Sequence, residues 1–275
     1  MRRLATVTLA AAIAAVLASS AFAQAPKLDA AALMKLVPNL AGIGIGAAPD
    51  YSGSDDYTWV AAPAAQYKFG ETNRSISLWG PFGSANLIDS PKWSAGPTLS
   101  LRFGRQDVED EVVKRMSEVD HTGEAGAYVA YMHINTEGIP WIARVATGVQ
   151  WDVRDVYDGA YAWASGQFFV PLREDIFVGL GGGVGGGSTS FVNAYYAVTP
   201  QDALASGLPS FRGSSGVTNY YVWPAIIWRF HPNWLAGVGG MYQRLIGDAA
   251  DSPIVRDRGS ASQWFGGAGL AYLFW

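Results

Sequence analysis

The feature that most constrains this chain is a strand–turn–strand pattern that repeats from Leu40 to the C-terminus. Many of the segments are 10 to 13 residues long, rich in Gly, Ala, Val and Ile, and bounded by turn-forming residues. A tilted strand needs about 9–11 residues to cross a bilayer. The pattern predicts strands at 40–49, 57–69, 73–79, 84–89, 92–103, 124–135, 140–151, 158–170, 175–187, 216–229, 233–244 and 262–275.

The connections between these segments alternate in length. In bacterial outer-membrane barrels the periplasmic turns are short and the external loops are long. With twelve strands, every long connection falls on one side of the sheet, and a wrong strand count would scramble that order. The sequence therefore predicts an all-β fold, an antiparallel transmembrane β-barrel of twelve strands with both termini in the periplasm. The long connections are 104–123, 188–215 and 245–261.

Composition and aromatic placement agree with a barrel wall. Only 15% of residues are charged and 13% are aromatic, whereas soluble domains usually carry about 25% charged residues. Aromatic residues such as Trp59 and Trp264 lie near loop ends, and others such as Tyr67 and Trp234 near turn ends. Two such girdles are typical of transmembrane barrels. A soluble β-sandwich is the alternative, and it would rarely sort aromatics to both strand ends.

The N-terminus resembles a secretory signal peptide. Arg2 and Arg3 form a short positive region, an uncharged apolar run follows, and Ala23–Gln24 fits a cleavage site. The run is too short for a transmembrane helix, which needs about 20 apolar residues. We expect a signal peptide at 1–23, a periplasmic N-terminal segment at 24–39, and a barrel at 40–275 in the outer membrane of a Gram-negative bacterium.

Charge and cysteine content exclude several classes of protein. Cleavage leaves 17 basic against 23 acidic residues, a net charge of −6, which does not suit a nucleic-acid-binding protein. The chain has no Cys, so disulfides and thiolate metal sites are ruled out. We predict no cofactor and no metal site.

Two local patterns could indicate chemistry, and both have simpler explanations. Gly181, Gly183 and Gly186 match a dinucleotide-binding spacing, but that motif requires a helix within a βαβ unit. Only His133 of the three histidines lies on a predicted strand, and no Ser or acidic residue is clearly paired with it as a hydrolase would need. The sequence therefore predicts no catalytic residues and no enzymatic activity.

The two longest loops are expected to contain short helices. Val108, Val112, Met116 and Val119 follow helical spacing, which predicts an amphipathic helix in loop 104–123. In loop 188–215, Thr199 and Asp202 resemble a capping pattern that starts a helix. We expect Gly207 and Pro209 to end that helix. The helix in loop 104–123 could cap the barrel, contact lipopolysaccharide through divalent cations or bind a partner, and the simpler alternative is a solvated loop helix.

The C-terminal strand ends in alternating apolar residues. Leu270, Tyr272 and Phe274 lie on one face, and the chain ends at Trp275. A terminal strand of this kind is what the barrel-assembly machinery is expected to recognise. Either register could serve, and we favour Tyr272 and Phe274 facing lipid.

Four stretches of the chain resemble the MltA-interacting protein/OmpV family of outer-membrane proteins. They span most of the mature sequence and share the family's order, and Trp275 is the one departure from the pattern. The stretches are Pro49 to Tyr57 with Tyr51, Gly53 and Ser54; Tyr196 to Pro209 with Pro200 and Gly207; Arg244 to Val255 with Gly247, Asp248, Ser252 and Pro253; and Gly269 to Phe274.

The resemblance implies a non-enzymatic barrel without cofactors. The family's named member is regarded as a scaffold that brings a lytic transglycosylase together with a penicillin-binding murein synthase, and vibrio-type members are surface-exposed antigens. The alternatives are a surface-exposed adhesin or a narrow pore, with Gln66 and Lys68 as inward residues. Other expected partners are outer-membrane lipid, lipopolysaccharide and the barrel-assembly machinery.

Overall fold

The computed structural model describes residues 39–274 of the chain. The signal peptide with its Ala23–Gln24 cleavage site, positions 24–38 of the N-terminal segment, and Trp275 lie outside these residues. Asn39 is the first residue of the first strand, so the barrel begins one residue earlier than the sequence predicted.

Twelve antiparallel strands form a closed barrel in which each strand pairs with its sequence neighbours and the last pairs with the first. The predicted fold class is therefore confirmed. The strands are β1 Asn39–Pro49, β2 Tyr57–Lys68, β3 Ser75–Trp79, β4 Phe82–Asn86, β5 Trp93–Arg102, β6 Thr122–Asn135, β7 Trp141–Asp152, β8 Ala160–Pro171, β9 Ile176–Gly187, β10 Gly216–His231, β11 Trp234–Leu245 and β12 Ser262–Phe274.

Exposure alternates along the strands because successive side chains point to opposite faces. In β1, Ile43 and Ile45 are about three-fifths exposed while the glycines between them face inward. In β12, Leu270 and Tyr272 are exposed and Leu273 is buried, so the outward face is the one that we expected to meet lipid. An apolar outer face is what a bilayer requires of a barrel.

β3 and β4 are shorter than the other strands, with five residues each. The sequence placed the fourth strand at 84–89, whereas β4 starts at Phe82 and ends at Asn86. The Asn86 side chain explains this end, because its amide donates to Ile88 O and its oxygen accepts from Ala95 N. These bonds replace the strand ladder and turn the chain away.

Helices occur only in the long loops among the described residues, and none of them is long and apolar enough to cross a membrane. The amphipathic helix predicted for loop 104–123 is wrong, because only a 3-10 turn forms at Val113–Arg115. The helix predicted after Thr199 is present. We number the helices α1 Thr189–Tyr196, α2 Pro200–Ser206, α3 Asp248–Asp251 and α4 Pro253–Arg256.

The long connections all lie at one end of the barrel, as predicted from their order. We call the segments 50–56, 103–121, 153–159, 188–215 and 246–261 together the lid. The two-residue turn at 80–81 joins β3 to β4 and is the one short connection on the same side. The connections at the opposite end have two to six residues.

Candidate functional site

The lid has a hydrophobic interior of its own. Two clusters of buried side chains draw members from all five lid segments, and fully burying a large apolar side chain contributes about 1.5–3 kcal/mol. The lid is therefore a packed unit rather than a set of solvated loops. The clusters are Tyr157, Phe191, Val192, Tyr195, Tyr196, Leu245, Ala249 and Val255, and Tyr51, Val108, Val113, Met116, Val198, Leu208 and Ile254.

Tyr196 is the point at which three of the resembling stretches meet. Its hydroxyl lies 2.8 Å from Ser52 Oγ, and its carbonyl accepts a hydrogen bond from Ser252 Oγ at 2.7 Å. Gly53 lies against the same region with φ of +103°, and a Cβ there would lie 2.4 Å from Val255 Cγ2. Both the backbone conformation and the close approach require glycine at this position.

The other family-pattern residues mostly shape the lid. Ser54 is buried and its carbonyl accepts from Gln263 Nε2 at 3.2 Å, and Asp248 Oδ2 accepts from Ser214 N at 2.6 Å. Tyr57 lies on the outer wall, where its hydroxyl accepts from Trp264 N. Pro200 and Pro253 begin α2 and α4, Gly247 precedes α3, Gly207 ends α2 in the left-handed conformation, and Pro209 is exposed.

Asp202 joins α2 to the loop between β5 and β6. Its carboxylate accepts from Ser117 N at 2.7 Å and from Thr199 Oγ1 at 2.7 Å. Burial raises the pKa of Asp202, but the hydrogen bonds outweigh it and hold that pKa below the ordinary value of 3.8. The capping pair Thr199–Asp202 was predicted from sequence, whereas the bond to Ser117 was not.

Asp110 makes a second charged joint in the lid. Arg258 donates to it at 2.5 Å, and the backbone N–H groups of Val112 and Val113 donate at 2.9 and 2.8 Å. Burial raises the pKa of Asp110, and the bond from Arg258 and the two N–H bonds lower it below the ordinary value. This joint holds segments 103–121 and 246–261 together.

A polar network lies directly below the lid, on the inner wall. Glu124 on β6 is buried and bonds to the Arg102 guanidinium on β5. Glu124 also accepts from Ser100 Oγ at 2.7 Å and from the lid residue Tyr157 at 2.8 Å. Every carboxylate oxygen thus has a partner, as a buried charge requires.

The Arg102 guanidinium also holds helix α1 in the mouth of the barrel. Its Cζ lies 4.8 Å from the ring centre of Phe191 and 6.0 Å from that of Tyr195, both on α1. It lies 4.4 Å from the ring of Tyr161 on the wall. Such cation–π contacts gain strength where water is excluded. The lid therefore fills the upper lumen and is not merely laid across it.

Sequence reasoning missed Arg102 and Glu124. The available signal was the parity of the strands, which puts both side chains on the inward face of neighbouring strands. A charged side chain on the inward face of a barrel requires a partner of opposite charge, and Arg102 and Glu124 lie on neighbouring strands.

The glycine run of β9 faces the lumen and is covered by aromatic rings. A Cβ on Gly181 would lie 2.4 Å from the Trp223 ring, and one on Gly183 would lie 2.7 Å from Tyr221 Oη. Helix α1 does follow this strand, which the sequence did not predict, but β9 pairs antiparallel on both sides. The run is therefore not part of a βαβ unit, and the glycine spacing does not indicate a dinucleotide-binding site.

The lumen below the lid contains further aromatic and basic side chains. The rings of Phe82 and Trp163 lie 5.9 Å apart, although their strands are not neighbours. Gln66 and Lys68 are half-buried and flank the exposed Tyr67, which is the inward placement that we expected. No group of three His, Asp or Glu side chains within 39–274 could hold a metal ion.

Comparison with known proteins gives one family match. The family model described as MltA-interacting protein MipA matches residues 41–274. No curated protein matches the chain.

Three solved structures illustrate the fold likeness, and all are barrels of low identity to this chain. The NanC porin has a TM-score of 0.49 and 10% identity, over 86% of this chain and 100% of that chain. The KdgM porin has a TM-score of 0.43 and 10% identity, over 86% and 99%. The outer-membrane channel DcaP of Acinetobacter baumannii has a TM-score of 0.39 and 8% identity, over 86% and 96%.

These likenesses concern the barrel fold alone, which the strand pairing already establishes. The family match is of a different kind, because it spans the wall and all five segments of the lid. The chain is an outer-membrane barrel protein and belongs to the MltA-interacting protein MipA family.

Proposed function

We propose that this barrel is a non-enzymatic scaffold that holds a lytic transglycosylase near a penicillin-binding murein synthase at the periplasmic face of the outer membrane. The observation that carries the proposal is the match over residues 41–274 to a family that is named for its interaction with MltA. The sequence resemblance to the same family implied the same role.

The arrangement of the barrel fits a docking role better than a transport role. The lid fills the end with the long loops, which faces outward in outer-membrane barrels. Murein lies on the other side of the membrane, where the short turns at 69–74, 136–140 and 172–175 would form the contact surface. Export through a signal peptide at 1–23 and insertion through Leu270, Tyr272 and Phe274 belong to the same proposal.

Site-specific photo-crosslinking tests the proposal. A photoreactive amino acid is placed at Thr72, Glu137 or Glu174 in the short turns, and at Leu204 in the lid as the control. Leu204 is the most exposed large apolar side chain of the described residues, at 89%. We expect crosslinks to a lytic transglycosylase or a murein synthase from the turn positions and none from Leu204.

Two results would count against scaffolding. One is that no turn position crosslinks to a murein enzyme above the background that an unrelated barrel gives. The other is binding of purified lytic transglycosylase to this barrel with an affinity no greater than to that unrelated barrel. Either result would favour the alternatives, a narrow pore or a surface-exposed adhesin.

A further inference from the structure

The barrel wall is incomplete between β2 and β5 in its upper half. β2 pairs with β1 from Tyr57 to Gln66, but with β3 only from Ala64 to Lys68. The β3–β4 hairpin therefore reaches only half the height of β2. Above its turn at 80–81, the segment Tyr57–Ala62 has no neighbouring strand on that side among residues 39–274. We call this gap the notch.

The sequence explains why pairing stops at this height. Gly80 N donates to Pro63 O at 2.8 Å, and this is the last bond between β2 and the hairpin. Pro63 has no N–H to donate toward the hairpin, so the ladder lacks a donor at this residue. Gly80 has φ of +57° and turns the chain back into β4. The tight turn is thus encoded, and the notch follows from it.

Side-chain exposure shows that the notch opens the wall. By alternation, Thr58 and Val60 face inward, yet both are exposed, as is Trp79 beside them. Inward residues near the top of strands away from the notch are buried under the lid: Glu124, Gln150, Thr218 and Gln263 are all at 3% exposure or less. The contrast is confined to the strands that border the notch.

We propose that the notch is a lateral opening that takes a fatty-acyl chain of a lipid from the outer leaflet against the unpaired edge of β2. Apart from Thr58 the lining is apolar, with Val60 and Trp79 facing the gap and Trp59 on its outer rim at 76% exposure. The rim continues into the lipid-facing wall at Ile45 and Leu99, both more than 60% exposed. Because the gap is continuous with that wall, we expect lipid to be the phase that borders it.

The exposed backbone of β2 favours an amphiphile over a pure hydrocarbon. In an extended strand, the N–H and C=O groups of every second residue point to the same side. Since Pro63 O points to the hairpin and accepts from Gly80 N, the N–H and C=O groups of Trp59 and Ala61 point to that side too, into the notch. Unpaired backbone groups in a bilayer cost several kcal/mol each. The ester or amide carbonyl at the head of an acyl chain can accept from Trp59 N–H, while its tail covers Val60 and Ala61.

Spin labelling provides a direct test, because the chain has no cysteine of its own. Nitroxide labels are attached to Val60→Cys and, as a second reporter, Trp79→Cys in the full chain in phospholipid vesicles. Val238→Cys on the outer face and Met241→Cys on the inner face of β11 are controls, since β11 is paired on both sides. Collision rates are measured with oxygen, which concentrates in lipid, and with an aqueous nickel chelate.

We expect the oxygen-to-nickel collision ratio at Val60 and Trp79 to match that at Val238 and to exceed that at Met241 severalfold. A ratio in favour of nickel would mean that the notch holds water and would overturn the proposal. Protection from both reagents would mean that another protein segment covers the edge, as an added strand would, and would overturn it too. Folding of each variant is checked by its heat-dependent gel mobility.

Discussion

At the scale of single residues, the inward glycines of β9 act by leaving space. The glycines on the inner face of this strand alternate with outward residues such as Leu180 and Val184. Each leaves room for one ring from a neighbouring strand or from the lid. The large rings of those elements therefore occupy the space that side chains on β9 would otherwise fill. The rings are Phe169, Trp223, Tyr221, Tyr161 and Phe191.

Gly181→Ala should therefore destabilise the barrel. The added Cβ would lie 2.4 Å from Trp223 Cε2, so the indole must shift within a packed lumen. Overpacking of this kind costs about 1–3 kcal/mol. The measurement is the free energy of unfolding in urea with refolding into phospholipid vesicles.

The matched control is Gly237→Ala on β11, where the nearest heavy atom to an added Cβ is Ile226 O at 3.9 Å. It should change stability little. In a protein that already carries Trp223→Ala, Gly181→Ala should cost less stability than it does in the parent protein, because the ring that the added Cβ would meet is gone. Equal effects of the two glycine substitutions would show that the ring does not depend on the space above Gly181.

At the scale of elements, the strands could be predicted and the lid could not. The strand signal is local. Apolar residues at every second position and a turn residue at each end suffice to predict the ends of β5 and β11 to within a residue or two. Helix α2 was predicted for the same reason, because Thr199 and Asp202 are three residues apart. The lid depends on contacts such as Gln263 with Ser54, which are 209 residues apart.

The failed helix in loop 103–121 shows how tertiary packing overrides periodicity. Val108 and Met116 are buried, as an amphipathic pattern implies. However, they are buried against Val198, Leu208 and Ile254 from other lid segments rather than by a helix on a surface. Arg105 pairs with Val119 in an isolated bridge that closes the loop, and a helix over the same residues would exclude that bridge.

We expect the lid to become less stable in acid, because two carboxylates join its segments. The folded pKa values of Asp202 and Asp110 are lowered, so their stabilising contribution is full above pH about 4, the pKa of an unfolded aspartate. It is lost as the pH falls through the lower folded values. Hydrogen exchange in 188–215, corrected for intrinsic rates, should stay slow from pH 7 to 4 and rise below that.

Asp202→Asn should weaken the joint at pH 7 and reduce the acid response. Replacing charge-assisted hydrogen bonds by neutral ones costs about 1 kcal/mol, which corresponds to an exchange rate about fivefold faster in peptides from α2 and 103–121. Glu118→Gln is the control, since Glu118 is an exposed acidic residue of the same loop. Exchange that is equally slow at pH 3 and pH 7 in the parent protein would contradict the role given to these carboxylates.

At the scale of the whole molecule, the barrel combines a filled upper end with a notched side. Barrels near this size lie between eight-stranded ones, whose interiors are filled by side chains, and open porins of 16–18 strands. Here the filling comes from loops, because the inner faces of β1 and β9 consist largely of glycine and those of β11 and β12 carry two glycines each at mid-strand. A small-residue wall leaves the space that α1 occupies.

Glu124 is the residue on which closure should depend most. Glu124→Gln leaves the Arg102 guanidinium without its counter-charge and weakens the bond to Tyr157 in the lid. Breaking a buried pair costs about 3 kcal/mol or more, so the lid should open about 100-fold more often.

In planar bilayers we expect the parent protein to be closed almost always and Glu124→Gln to show frequent openings. Ser77→Ala, inward but bonded only to Ser84 in the lower lumen, should behave as the parent. Steady conductance of the parent, or silence of Glu124→Gln, would show that the lid does not gate the lumen.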